Sequence, residues 1–284
     1  MIVIGLMVGI GLGLRSADPS QADPPAEAMR RQLLADTAKD ADAALARLGS
    51  DLIAAGDHAR EGAALTVSGE APAPELTSAA DLLAGSSDSA ETARRALVAL
   101  EGVAASVEPG AQVPLLSYGG TDLQLIAAQL RTSAGAATTF VERRHATQAV
   151  VEALAGALAA LEGDDPASAL ESLDQADAPL ALLQDWEDRP PLLRYWMGVS
   201  ADLIDAARDI ARARLDGDPA AIAAAGRRYA EAAARALGAD NALALTLSEE
   251  GSGVSATPLR RLAALADEAS DARARLAPML RAGS

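Results

Sequence analysis

The chain contains no cysteine, almost no aromatic residues and only one lysine, and these shortages exclude several folds and functions. Without cysteine there is no disulfide, no thiolate metal site and no cysteine nucleophile. Aromatic residues make up 2% of the 284 residues, whereas alanine supplies about a quarter. The β-branched and aromatic side chains that strands favour are therefore scarce. Alanine and leucine are strong helix formers, so the composition predicts an all-α fold.

Basic residues are also in short supply, which leaves a formal net charge of −16. Binding to nucleic-acid phosphates needs a cationic face, so we predict no nucleic-acid partner. Half of the chain is hydrophobic, and it is long enough to bury a substantial core. Small alanine side chains bury little area per contact, so we expect stability to come from many contacts along long helices.

The N-terminal segment is the one long apolar run, and its length does not decide between a membrane segment and a buried helix. Residues 2–14 are uncharged and apolar, and Arg15 and a polar linker follow them. A bilayer span needs about 20 residues, and the basic stretch and cleavage site of a signal peptide are absent. Two interpretations remain, a signal-anchor whose front is missing and a buried N-terminal helix.

We favour a signal-anchor remnant and linker in residues 1–22, because a soluble helix seldom lacks a polar face. This interpretation predicts attachment to the membrane through residues 2–14, with the body of the protein outside the cytoplasm. Arg15 lies on the C-terminal flank, where a positive charge favours the opposite, cytoplasmic orientation.

Two long helices are predicted, over residues of about 25–66 and 121–162, antiparallel in a bundle that spans residues 23–163. The first has a coiled-coil heptad seam, formed by Leu34, Ala38, Ala41, Leu45, Leu48, Leu52, Ala55 and Ala59. The second is expected to begin at a capping box of Thr121 and Gln124 and to end at Gly163, a left-handed cap. Its predicted apolar register includes Leu123, Val151, Leu154 and Leu158. A short helix at 74–84 and another at 88–106 lie between the two.

Shorter helices follow, and we predict a region of helical hairpins over residues 164–284. Most begin with proline after a capping residue, a common helix start. Their expected ranges are 166–176, 179–186, 191–215, 219–237 (with an end near 247 as the alternative) and 258–280. Leu161-Glu-Gly-Asp-Asp-Pro and Leu215-Asp-Gly-Asp-Pro repeat one signal, a glycine that ends a helix and an Asp-Pro pair that opens the next.

The sequence offers little evidence of catalysis or of a bound metal. Glu142 and His145 have the Glu-x-x-His spacing of di-iron bundles, which need two such motifs. The other histidine, His58, precedes Glu61 in the reverse order. We therefore predict an ion-paired helix surface, no metal and no other cofactor. No nucleophile elbow, P-loop or dinucleotide fingerprint occurs, so we expect a protein that is not an enzyme.

Half of the aromatic residues lie close to Pro190 and Pro191, where we expect a corner between helices. Trp196 is predicted to be core, since it shares a helix register with Leu203 and Ile210. Arginine and aromatic residues are typical of interface hot spots, and the predicted partner-binding residues are Trp186, Arg189, Arg194 and Tyr195. The alternative is that these bulky residues only fill a corner that alanine leaves open.

These observations predict a non-enzymatic helical scaffold or interaction protein of the cell envelope, anchored by its N-terminus. Its partner would be another protein or a second copy of the chain. The alternative is a small-ligand-binding or sensory helical bundle, which requires a polar-lined cavity. Ser133, Arg144 and Thr147 interrupt the apolar seam of the second long helix and predict a polar layer there.

Overall fold

The computed structural model describes residues 24–107, 110–185, 190–250 and 254–282. These residues form nine α-helices and no strand, which confirms the predicted all-α fold. The helices are α1 (Pro24–Ser68), α2 (Ala73–Gly85), α3 (Ser87–Val107), α4 (Gly120–Glu162), α5 (Pro166–Asp174), α6 (Asp177–Gln184), α7 (Pro191–Asp216), α8 (Pro219–Glu250) and α9 (Ala256–Ala282).

The two long helices lie where the sequence predicts them, as α1 and α4. The predicted seam of α1 is buried from Ala38 to Ala59, with Leu48 fully inaccessible to solvent, whereas Leu34 at its start is only partly buried. Several helix ends differ from the prediction by a few residues. Helix α1 continues through Ser68, where we expected a loop from residue 67, and α8 runs to Glu250, past both ends predicted for it, near residues 237 and 247.

The predicted capping box of Thr121 and Gln124 is wrong, because α4 begins earlier, at Gly120. The carboxylate of Asp122 accepts a hydrogen bond of 3.0 Å from the backbone N–H of Gly119 and so satisfies one free donor. A Cβ atom on Gly120 would lie 2.3 Å from the Ser87 hydroxyl oxygen. The helix can start here only because glycine leaves room for that neighbour.

The predicted left-handed cap at Gly163 is also wrong. Gly163 has a φ of −75°, and the following residue, Asp164, has a φ of 59°. The N–H of Asp165 reaches back to the carbonyl of Ala160 at 2.9 Å and closes the helix end. Aspartate tolerates the left-handed region better than most side chains, so glycine is not required. In the second copy of this signal the glycine itself is left-handed, since Gly217 has a φ of 66°.

The apolar register predicted for the second half of α4 is shifted. Val151 is 42% exposed, and the buried side chains include Val150, Ala153 and Ala157; of the predicted register in this half, Leu161 is buried as expected. Helices α5, α6 and α7 pack against this part of α4, and small alanines permit that close approach. Because leucine, valine and alanine alternate in this stretch, the sequence pattern does not distinguish the two faces.

The helices divide into two compact units, and each unit is discontinuous in the chain. Among the described residues, unit 1 contains those in the ranges 24–48, 89–117 and 268–282, and unit 2 contains those in the ranges 49–88 and 118–267. In unit 1, Asp42 of α1 pairs with the guanidinium of Arg273 on α9 at 2.7 Å. The backbone N–H and the hydroxyl of Ser117 donate to the two carboxylate oxygens of Glu268, at 2.5 and 2.7 Å.

Unit 2 is built on antiparallel helix pairs. Asp202 and Asp209 of α7 pair with Arg235 and Arg228 of α8, so one helix ascends as the other descends. Helix α2 also packs on α4, where Asp81 meets Arg131 at 2.8 Å. An apolar cluster joins α4, α5, α6, α7 and α8, and its members include Val150, Leu161, Leu173, Leu183, Trp196 and Ala239.

This cluster contains residues on both sides of the boundary predicted between residues 163 and 164. The division into a long-helix bundle and a hairpin region stays a prediction. The apolar segment of residues 2–14 lies outside the described residues. Among the helices that the structure describes, none combines the length and the apolarity that crossing a membrane requires.

Candidate functional site

Two of the four predicted partner-binding residues lie on α7, at its corner with α6. Arg194 and Tyr195 lie in the first turns of α7, and both side chains are exposed. Trp186 and Arg189 fall in the segment between the two helices, outside the described residues. The structure therefore places two of the four predicted residues and says nothing of the other two.

Trp196 is core, as predicted from its helix register. Its side chain is 2% exposed and belongs to the apolar cluster, together with Leu193 and Met197. Consecutive residues on a helix point about 100° apart, so a buried Trp196 turns Tyr195 outward. The exposed fraction of Tyr195 is 44%. The corner thus has a rigid aromatic anchor inside and an aromatic side chain outside.

An open cleft of about 490 Å³ lies beside these residues. Gln184 and Asp185 form one wall at the end of α6, and Arg194, Met197, Gly198 and Ala201 form the other wall on α7. The guanidinium of Arg194, the carboxylate of Asp185 and the flexible thioether of Met197 therefore line the same cleft. Gly198 adds no bulk, and a Cβ atom there would have no neighbour within 4 Å.

Large apolar side chains surround the corner. Leu182 on α6 is 48% exposed, Leu192 on α7 is 37% exposed, and Leu237 on α8 is 75% exposed. The hydroxyl oxygen of Tyr195 lies 3.6 Å from the position of a Cβ atom built on Gly238. Tyr195 therefore leans over α8 beside Gly238.

Arg208 holds the helices of the corner together. Its guanidinium donates to the carbonyl of Leu173 at the end of α5 and to the carboxylate of Asp177 at the start of α6, at 3.1 and 2.6 Å. Burial acts to lower the pKa of Arg208, but the hydrogen bond to Asp177 and the charges of Asp177, Asp174 and Asp205 raise it overall. The residue stays charged, and the ends of α5 and α6 are fixed on α7.

The residues of the predicted polar layer, Ser133, Arg144 and Thr147, lie at different levels along α4. Ser133 and Thr147 are buried, but they are 14 residues apart on α4, a distance of about 21 Å along a helix. The Thr147 hydroxyl donates to its own helix, at the Arg144 carbonyl. Arg144 is exposed, and it donates to the Val67 carbonyl at the end of α1, at 2.6 Å.

The two histidines have different surroundings. Glu142 and His145 are both exposed on α4. His58 lies 2.5 Å from the carboxylate of Glu75, measured from Nδ1 to Oε2, and one donor atom each from His58, Glu61 and Glu75 lies within 4.8 Å of the others. Sequence reasoning paired His58 with Glu61 alone and missed Glu75. No sequence motif marks Glu75, because it comes from the next helix and its position depends on how α1 and α2 pack.

No family model, curated protein or solved structure matches the chain in comparisons with known proteins.

Proposed function

We propose that the protein is a non-enzymatic helical scaffold of the cell envelope that binds a protein partner through the corner between α6 and α7. The observation that carries the proposal is the exposure of Arg194 and Tyr195 beside an open cleft, on the helix that buries Trp196. Arginine, tyrosine and methionine are enriched in protein interfaces, and hot spots cluster where a partner side chain enters a pocket.

Rigidity supports this assignment. Trp196 and Arg208 fix α7 against α5 and α6, so the contact residues on its outer face are held in place before a partner arrives. A surface that is already ordered loses little conformational entropy on binding. The exposed leucines at 182, 192 and 237 add apolar area that a partner would remove from water.

Attachment to the envelope is the second part of the proposal, and residues 2–14 support it. Deletion of residues 1–22 should move the protein from the membrane fraction to the soluble fraction and leave its helix content unchanged. If the full-length chain is soluble after cell lysis, the anchor is wrong, and partner binding at the corner stands by itself.

The cleft also supports a second candidate, the binding of a small ligand. A volume of about 490 Å³ lies within the usual range of about 300–1,000 Å³ for ligand sites. Arg194 and Asp185 at its walls would orient a zwitterionic or anionic molecule. This candidate uses the cleft and does not depend on the predicted polar layer in α4, which stays a prediction.

A photo-crosslinking amino acid in place of Tyr195 tests the proposal. Leu215 is the matched control, since it is 56% exposed at the other end of the same helix. We expect one stoichiometric protein adduct at position 195 and none at position 215. A Gly198→Leu variant, whose new side chain enters the cleft, should reduce the adduct. Equal labelling at both positions contradicts the proposal, and a thermal shift with small anions that Gly198→Leu abolishes supports the ligand-binding candidate.

A further inference from the structure

We propose that His58, Glu61 and Glu75 bind a first-row divalent metal ion, for which Zn²⁺ is the probe. One donor atom from each side chain lies within 4.8 Å of the other two. An imidazole nitrogen with two carboxylates suits zinc and its neighbours, whereas magnesium and calcium prefer oxygen ligands alone. This site is independent of the partner-binding corner.

Two helices bring the three ligands together. His58 and Glu61 are three residues apart on α1 and therefore share a helix face. Glu75 lies in the first turn of α2. Side chains from two helices thus converge on one point, and an ion bound there would tie the end of α1 to the start of α2.

Gly62 makes this convergence possible. A Cβ atom on Gly62 would lie 2.7 Å from Cγ of Leu76, the residue that follows Glu75. Leu76 is fully buried. The two helices therefore touch beside the proposed ligands, and the buried side chain of Leu76 fixes the position of Glu75 in the first turn of α2.

The geometry needs only small side-chain movements to accept an ion. Nδ1 of His58 and Oε2 of Glu75 are 2.5 Å apart, joined by a hydrogen bond. Around zinc, with ligand distances of about 2.0–2.2 Å, these atoms would separate to about 3.4 Å. The ion takes the place of the proton in that hydrogen bond, and the metal-bound imidazole carries its N–H on Nε2. The two carboxylates balance the double positive charge of the ion.

The surroundings admit an ion and do not repel it. The side chains of His58 and Glu75 are 42% and 28% exposed, so the site is open to solvent. Arg60, which lies between His58 and Glu61 in the sequence, pairs with Asp57 at 2.8 Å. The carboxylate of Asp57 therefore balances its positive charge. With three protein ligands, the remaining coordination positions would hold water.

Titration calorimetry of the full chain with Zn²⁺ tests the site. We expect one ion per chain, and His58→Gln, Glu61→Gln and Glu75→Gln should each weaken binding by at least about tenfold. The matched controls are Glu142→Gln and His145→Gln, since that pair has the same residue types and spacing on a single helix. These controls should bind as the unmodified chain does, and Mg²⁺ should not compete.

Equal affinity in all five variants overturns the proposal, and so does binding of several weak ions that no variant affects. Nuclear magnetic resonance gives a second measurement that needs no variant of the three ligands. The imidazole signals of His58, assigned by their persistence in His145→Gln, should shift on addition of one equivalent of Zn²⁺. A shift of the His145 signals alone, or of neither histidine, also overturns it.

Discussion

Arg214, in the last turn of α7, donates a hydrogen bond to the carbonyl oxygen of Leu161 at the end of α4. It also pairs with Asp164 at 3.5 Å. The last carbonyls of a helix have no partner within the helix and carry partial negative charge. The guanidinium of Arg214 therefore satisfies a free carbonyl at the end of α4. Arg214 directly precedes the second copy of the repeated helix-end sequence, and it contacts Leu161 and Asp164 in the first copy.

Arg214→Met should lower the free energy of unfolding by about 1–2 kcal/mol, because a charge-assisted hydrogen bond to a partly buried carbonyl is lost. The guanidinium is 32% exposed, so solvent weakens its ion pair with Asp164. Urea denaturation measures the change. Arg212→Met, on the exposed face of the same helix, is the control and should have little effect. Equal losses in the two variants would indicate that the contact with Leu161 contributes nothing.

Gly62→Ala should destabilise the protein, whereas Gly135→Ala should stabilise it. A Cβ atom at position 62 meets Cγ of Leu76 at 2.7 Å, while one at position 135 has no neighbour within 4 Å. Overpacking costs about 1–3 kcal/mol, and an alanine in an open helix position gains about 0.5–1 kcal/mol. Thermal melts of the two variants should shift in opposite directions. A shift of the same sign would contradict the tight contact between α1 and α2.

Trp196→Ala should cost about 3–5 kcal/mol, since a fully packed tryptophan leaves a large cavity. Tyr195→Ala, one residue earlier, should change stability far less because the side chain is 44% exposed. The same Tyr195 variant should weaken the partner adduct in the crosslinking experiment, with the photoreactive residue moved to Arg194. If Tyr195→Ala unfolds the protein, its role is structural and the contact surface is wrongly placed.

Asp165 should make stability depend on pH at the acid end. It caps α5, and hydrogen bonds from the hydroxyl and the backbone N–H of Ser168, at 2.7 and 3.1 Å, lower the pKa of its carboxyl. A lowered folded pKa means that the stabilisation is present above the unfolded value and is lost as pH falls through the folded one. The difference between wild type and Asp165→Asn should therefore shrink below about pH 4.

The control for this experiment is Asp240→Asn, which removes one exposed carboxylate from α8. Its stability relative to wild type should show no comparable change over the same range, measured by urea denaturation at each pH. If the two variants respond alike, the effect belongs to net charge and not to the cap.

The sequence determined the helices of this protein. Alanine and leucine content excluded sheets, the heptad spacing in residues 34–59 placed most of the buried seam of α1, and proline after a capping aspartate marked the starts of α5 and α8. These signals act within a few residues, through helix propensity, capping and the 3.6-residue period. The sequence alone reveals these signals because each one depends only on residues close together in the chain. The burial of Trp196 followed from the same period.

Only the tertiary structure decided which helices meet and which side chains share a site. In an alanine-rich helix two faces look alike, so the choice of Val150 over Val151 depended on where α5, α6 and α7 pack. The start of α4 depended on the contact of Gly120 with Ser87. Glu75 reaches His58 because Gly62 lets two helices touch. These outcomes depend on atoms far apart in the chain or in different helices, and no local pattern of residue types encodes them.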